Sequence, residues 1–163
     1  QTSRASAFQR CFERLFGHGR VDQTMAEKSF KAALEGTGAA GFFIDIYSGA
    51  RPASPNDAAT GTKLARITAA AGARLHFAAA AVDGVIAKAA AETWQATGLA
   101  NGAAGYFRVV TDADAGDTSS TTAIRVDGVI AVSGSDMDMT NTSIALGAPL
   151  LINTATFTMP VAA

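Results

Sequence analysis

The chain has 163 residues, a mass of 16.5 kDa and a formal net charge of −1, which fits one domain of ordinary size with or without a terminal arm. Hydrophobic residues make up 48% and charged residues 17%, below the usual charged share of about 25%, so the composition excludes a disordered chain and indicates that a partner covers part of the surface. A sequence pI of about 6.1 disfavours general nucleic-acid binding, which needs a strongly basic surface.

The two ends of the chain differ in charge. Residues 1–35 carry six basic and four acidic side chains, whereas residues 109–163 carry one basic side chain, Arg125, and six Asp. This polarity suits head-to-tail packing or docking on an acidic surface, although solvated charges distributed by chance give the same pattern.

Cys11 is the only cysteine, so neither an intrachain disulfide nor a multi-cysteine metal site is expected, and the chain could mature in a reducing cytosol. A signal peptide is not expected, because charged and polar side chains interrupt the apolar residues from Phe8 to Phe16. The apolar run from Ala78 to Val82 is far shorter than the roughly 18 residues of a membrane span, so we expect no membrane partner.

Helical patterns come first in the chain. Four apolar residues follow the i, i+4, i+7, i+8 spacing of one helix face: Phe8, Phe12, Leu15 and Phe16. A second helix is expected to begin near Thr24, where Thr24 and Glu27 fit a capping box, and to stop at Gly36. We therefore predict an N-terminal helical arm over residues 1–40, in front of a second domain over residues 41–163.

After Gly41 the pattern changes to short strands. We expect them at residues 42–47, 64–67, 74–77, 85–86, 92–97, 105–111, 124–133 (interrupted at Asp127-Gly128) and 150–159. Roughly eight short strands at this spacing are typical of a β-sandwich or barrel, and we expect a mainly β, jelly-roll-like β-sandwich. The main buried anchors are expected to be Phe43, Tyr47, Trp94, Phe107 and Phe157.

Two motifs suggest ligands but lack the context that the chemistry needs. Residues 36–41, GTGAAG, fit the dinucleotide pattern G-x-G-x-x-G, yet they follow a predicted helix and precede a predicted strand, the reverse of the required order. We interpret them as a helix stop and a flexible link. Asp112, Asp114 and Asp117 resemble the start of a calcium loop, but the order D-x-D-x-D-G is not met and Ala123 stands where the closing Glu belongs. A solvated turn is favoured there.

Catalysis is not expected. The chain has two histidines, His18 and His76, but lacks the G-x-S-x-G motif that would place a nucleophilic serine for a Ser-His-Asp site. It also contains neither H-E-x-x-H nor G-x-x-x-x-G-K. Cys11 lies near Arg10 and Arg14, which could lower its pKa, but a small core cysteine is the simpler interpretation. We predict that the protein is not an enzyme and requires no cofactor or metal.

An ordered series of segments carries a family resemblance. Residues 44–58 read IDIYSGARPASPNDA, residues 64–68 read LARIT, residues 105–109 read GYFRV before the Asp-rich turn, residues 128–139 read GVIAVSGSDMDM, residues 141–144 read NTSI, and residues 157–160 read FTMP. Taken in order, they resemble small β-sandwich virion proteins of tailed phages and prophages. The resemblance covers about residues 41–160 and implies a structural part of a virion, assembled in the host cytoplasm.

Within that class we expect a capsid decoration, or cement, protein on the outer surface of the head shell, because many weak copies gain avidity on a repetitive lattice. The alternatives are a tail or head–tail joining protein and, after that, a glycan-binding tail-fibre module. The expected partners are the major capsid protein and neighbouring copies, in a possible homotrimer. The predicted docking residues lie in the arm: Arg4, Phe8, Arg10, Phe12, Arg14, Leu15, Phe16 and Arg20. The apolar stripe among them could instead fold back on its own sandwich.

Overall fold

In a computed structural model of the chain, the described residues are 23–36, 40–80 and 85–158. The architecture is mainly β, with one α-helix among the described residues, α1 (Gln23–Glu35), and a single 3₁₀ turn at Ala70–Gly72. The strands in chain order are β1 (Phe42–Ser48), β2 (Lys63–Ile67), β3 (Val85–Ala87), β4 (Trp94–Thr97), β5 (Gly102–Thr111), β6 (Arg125–Ala131), β7 (Met137–Asp138), β8 (Ser143–Ile144), β9 (Pro149–Ile152) and β10 (Thr156–Thr158).

The main sheet has the order β2-β1-β5-β6-β7, with β8 paired to β5. All pairs are antiparallel except β6 with β7, which are parallel. Along its central strands, every second side chain is apolar and enters the core, as with Ile44 opposite Val109 and Ile46 opposite Phe107. The intervening side chains point to the other face, which carries most of the buried charge of the described residues.

Two small sheets, β3 with β10 and β4 with β9, supply the other side of the core. Trp94 of β4 is fully buried and meets the Phe42 ring edge-on at 5.6 Å between centroids. Phe157 of β10 meets Phe77 in the same way at 5.2 Å. Large aromatic side chains therefore compensate for an alanine-rich composition, since each buries far more apolar area than Ala.

Helix α1 belongs to this core. Phe30 and Leu34 are buried in it, and the Phe30 ring lies 5.8 Å from that of Phe157. The Glu35 carboxylate accepts a hydrogen bond from the Phe77 backbone N–H at 2.6 Å, while Lys31 donates to the carbonyl oxygens of Phe77 and Ala78. The predicted stop at Gly36 is confirmed, with a φ of 71°. The described end of the predicted arm is thus fixed to the sheets rather than linked loosely to them.

Three strand predictions need correction. Residues 74–77 form isolated bridges at Leu75 and Phe77 instead of a strand. Strand β6 runs through Asp127-Gly128 without interruption, because Gly128 lies opposite Phe107, whose ring fills the space where a Cβ would sit at 2.4 Å. The predicted strand 150–159 is two strands, β9 and β10, which pair with different partners.

The predicted anchors differ in where they lie. Trp94 and Phe107 are buried core residues, as predicted, whereas Phe43 and Phe157 are only half-buried. Tyr47 is buried as predicted but on the polar face of the sheet, outside the core. In β9, Leu150 and Ile152 face inward and Leu151 is 58% exposed.

Candidate functional site

A row of charged side chains of alternating sign crosses four strands of the main sheet. The registers place Arg66 of β2 opposite Asp45 of β1, Asp45 opposite Arg108 of β5, and Arg108 opposite Asp127 of β6. Arg66 donates two hydrogen bonds to Asp45, at 2.6 and 2.7 Å, and Arg108 donates two to Asp127, both at 2.8 Å. Such two-point pairs are the strongest ion pairs that side chains make, and they fix the register of all four strands.

A row of aromatic residues lies beside the charged row. Tyr47 and Tyr106, opposite each other on β1 and β5, stack with ring centroids 5.0 Å apart. The Tyr47 hydroxyl donates to Asp117 at 2.8 Å, and Lys63 bridges Asp45 and Asp117 at 3.0 and 2.9 Å. Burial, the hydrogen bond to Asp117 and the charge of Asp45 raise the pKa of Tyr47 far above its ordinary value, so its phenol stays protonated as a donor.

Two loops cover these rows: residues 49–62, between β1 and β2, and residues 112–124, between β5 and β6. We call the charged and aromatic rows together with these two roof loops the paired-charge face. Arg108 donates to the carbonyl oxygens of Asp57 and Gly116, one from each loop. The loops also bind each other, because the Ala59 N–H donates to the Asp117 carbonyl and the Ser120 N–H to that of Asn56.

A third two-point pair holds the second loop. Arg125 of β6 donates to both carboxylate oxygens of Asp114, at 2.5 and 2.7 Å, and to the carbonyl of Thr118. The hydrogen bonds from Arg125 hold the pKa of Asp114 below its usual range. Burial alone would lower the pKa of Arg108, but its bonds to Asp127 raise it above the ordinary value. The side chains of this face are therefore held in fixed ion pairs and hydrogen bonds, which suits structural support.

The three aspartates of the suspected calcium loop form ion pairs with three different basic side chains. Asp112 pairs with Arg74, Asp114 with Arg125, and Asp117 with Lys63. In the ranges 23–36, 40–80 and 85–158, no group of three or more His, Cys, Asp or Glu is placed to hold a metal ion. The arrangement thus uses the aspartates as anchors for a loop, in place of the solvated turn that the sequence favours.

His76 forms a second polar cluster with Glu92 and Trp94. The His76 Nδ1 atom lies 2.6 Å from Glu92, which also accepts hydrogen bonds from the His76 backbone N–H and the Trp94 indole. Burial raises the pKa of Glu92, but these donors outweigh it and hold the pKa below its usual value. The cluster ties residue 76 to the start of β4.

All the predicted docking residues lie outside the described residues: Arg4, Phe8, Arg10, Phe12, Arg14, Leu15, Phe16 and Arg20. Cys11 and His18 lie outside them too. The docking role of the arm stays a prediction.

The paired-charge face was not predicted, although the sequence carries a signal for it. Each of four charged residues lies between apolar or small neighbours within its strand, as in IDI, ARI, FRV and VDG: Asp45, Arg66, Arg108 and Asp127. A charge between apolar or small neighbours in each of four strands of one sheet indicates that the charges meet across the sheet, because unpaired burial would be prohibitive.

The core-facing side of the main sheet borders a groove of about 1030 Å³, lined in part by Ile44, Phe107 and Val126. One wall is formed by the chain from β6 to β8 and the other by residues 148–158. Near it, backbone hydrogen bonds from Gly98 to Ala148 and from Gly147 to Gly98 join the loops at the ends of β4 and β9. These strands and loops carry three exposed leucines, which we call the leucine surface: Leu99, Leu146 and Leu151.

Searches against protein-family models, curated proteins and solved structures each found no match. No helix within the described ranges is long and apolar enough to span a membrane.

Proposed function

We propose that this chain is a structural protein of a tailed-phage particle, and most specifically a decoration protein on the outer surface of the head shell. The observation that carries the proposal is the paired-charge face. Its arginines donate hydrogen bonds to its aspartates and to backbone carbonyl oxygens of two loops. Such a network is a rigid support and not a reactive centre.

Three of the six segments that carry the family resemblance, with the Asp-rich turn that follows the third, support the same proposal, because they meet on this face. Residues 44–58 contribute Asp45, Tyr47 and the first roof loop, residues 64–68 contribute Arg66, and residues 105–109 contribute Tyr106 and Arg108. The Asp-rich turn supplies Asp114 and Asp117. Motifs that are distant in sequence thus share one structural task, as expected of a stable virion module.

The finer fold is part of the proposal. We assign a jelly-roll-like sandwich in which the main sheet is one layer and the pairs β3–β10 and β4–β9 form the other, with a helical arm in front. The leucine surface gives such a module an apolar contact area, and residues 1–22 add basic and apolar side chains. Each contact is weak alone, and a repetitive shell multiplies it.

Copy number per particle tests the proposal directly. Purified particles of the phage that encodes the chain are digested, and the chain is quantified by mass spectrometry against the major shell protein. A ratio near one copy per shell subunit supports decoration. A ring of about six or twelve copies indicates a tail or head–tail joining protein. A few copies indicate a tail-fibre module, and absence from the particle would refute a virion role altogether.

A further inference from the structure

Two segments of the chain carry no charged residue. Residues 93–107 and 139–163 contain none of the 13 Lys and Arg, none of the 14 Asp and Glu, and neither of the two histidines. Charged residues make up 17% of the whole chain, so segments of this length would ordinarily carry several. The two segments meet in one sheet, because the first contains β4 and the second contains β9.

This sheet turns one side outward. Gln95 lies opposite Leu151, and the next outward pair is Thr97 with Pro149. All four residues are exposed, whereas the residues between them, such as Leu150, pack against the core.

The outward side continues onto the loops at one end of the sheet. The Gly147 N–H donates to the Gly98 carbonyl at 2.8 Å, which joins the loop that carries Leu146 to the loop that carries Leu99. Both leucines are more than half exposed. We call this uncharged surface, which includes the leucine surface, the neutral face: Gln95, Thr97, Leu99, Leu146, Pro149 and Leu151.

We propose that the neutral face packs against the neutral face of a second copy of this chain, in a two-fold symmetric contact. Its leucines at 99, 146 and 151 are 54%, 66% and 58% exposed, so the contact removes apolar area from water. Depletion of charge is the feature that distinguishes the buried centre of a protein interface from the rest of a surface.

The chemistry of the face points to a second copy as the partner. A two-fold contact brings each side chain close to equivalents of its own kind, so charged groups would repel one another there. The amide of Gln95 and the hydroxyl of Thr97 each contain a donor and an acceptor, and can therefore bind their own kind. Nucleic acid, an anionic membrane or a charged protein surface would bring charges that no residue of this face could pair, and burying them would be costly.

The size of the face sets the strength of the contact. A standard protein interface uses about 20–30 residues on each side, more than the neutral face offers, so the contact is weak and the protein is monomeric at low micromolar concentration. On the proposed shell, the same contact would join neighbouring copies. The inference concerns the isolated protein, so it does not depend on the proposed function.

Sedimentation equilibrium of the purified full-length chain tests the proposal, with a reductant present so that Cys11 cannot link two chains. Between about 10 µM and about 1 mM protein, we expect the average mass to rise from 16.5 kDa toward twice that value and no further. Leu151→Lys should raise the dissociation constant about ten-fold or more, because it places an unpaired charge in the contact. Val132→Lys is the matched control: Val132 is 65% exposed but lies outside the neutral face, so this variant should associate like the parent.

Three results would overturn the proposal. A single mass of one chain at every concentration would show that copies do not associate. Equal association of L151K and V132K would place the contact elsewhere, and growth beyond two chains would indicate head-to-tail packing instead of a face that meets itself. Circular dichroism confirms that each variant is folded, and Leu146→Lys repeats the test at a second exposed position of the face.

Discussion

The two sides of the main sheet differ in how completely their side chains are buried and paired. On the paired-charge face, long strands place Arg108 opposite Asp127, both side chains fully buried, and two loops close over them. On the groove side, β7 to β10 are two to four residues long, apolar side chains are half-buried, and Leu146 and Leu151 are 66% and 58% exposed. The first region satisfies its own polar groups, while the second leaves apolar area for something else to cover.

This difference indicates a division of labour. A buried ion pair contributes little net stability, because desolvation offsets most of the attraction, but it penalises any arrangement that leaves one partner unpaired. The paired-charge face therefore fixes register and loop position. The groove side can rearrange at a small cost in free energy, because its short strands make few backbone hydrogen bonds to neighbouring strands. This property suits a surface that contacts a partner.

The largest expected effect on stability comes from truncating the chain after residue 35 instead of after residue 22. Removing residues 1–35 deletes Phe30 and Leu34, which lie in the core, so we expect this truncation to unfold or aggregate. Removing only residues 1–22 leaves α1 in place and should yield a folded domain. Circular dichroism and thermal melting compare the two. A stable, cooperative melt of the shorter product would show that α1 is not part of the core.

The next effect tests the paired-charge face. Asp127→Ala leaves the buried Arg108 guanidinium without its carboxylate and should lower the free energy of unfolding by about 3–5 kcal/mol. Asp112→Ala breaks an exposed pair with Arg74 and serves as the matched control, with a much smaller shift in the urea midpoint. Equal shifts for the two variants would show that the buried pair has no special role.

Apolar truncations on the two sides should differ as well. Phe107 is buried and covers Gly128, so Phe107→Ala should cost about 3–5 kcal/mol. Leu151→Ala removes an exposed side chain and should stay within about 0.5 kcal/mol of the parent. Urea denaturation measures both. A strongly destabilised Leu151→Ala variant would place that side chain in a core, against the description of the leucine surface.

The smallest effect is a dependence on acid. The Arg125 hydrogen bonds lower the pKa of Asp114 in the folded protein, so the unfolded chain binds the proton more tightly. The stabilisation is complete above the unfolded pKa of about 3.9 and is lost as pH falls through the lower folded value. Asp114→Asn should therefore reduce the drop in urea midpoint between about pH 6 and pH 3. An unchanged drop would exclude Asp114 as a contributor.

Local patterns in the sequence predicted the elements that local forces determine. The stop of α1 at Gly36, β1, β2 and β5 were predicted because alternation or a glycine stop decides them. Long-range pairing decided the rest. The sequence near Asp127-Gly128 is typical of a turn, and nothing in it shows that Arg108 and Phe107 lie opposite on β5. Pairing with these two residues makes the segment part of a continuous strand. The split of 150–159 likewise depends on two separate partners, β4 and β3.

The candidate site divides in the same way. Each charge in the row across the four strands stands between apolar or small neighbours in the sequence, but which charges meet depends on the register of strands far apart in sequence. The groove combines segments from residue 44 to residue 158, so no local motif could reveal it.

Hydrogen–deuterium exchange on free and particle-bound protein tests the division of labour most directly. On binding to the proposed shell, we expect new protection around Leu99, Leu146 and Leu151 and within residues 1–22. We expect no change in the roof loops, residues 49–62 and 112–124, which are already hydrogen-bonded to Arg108 and to each other. New protection confined to the roof loops, with the leucine surface unchanged, would contradict the account.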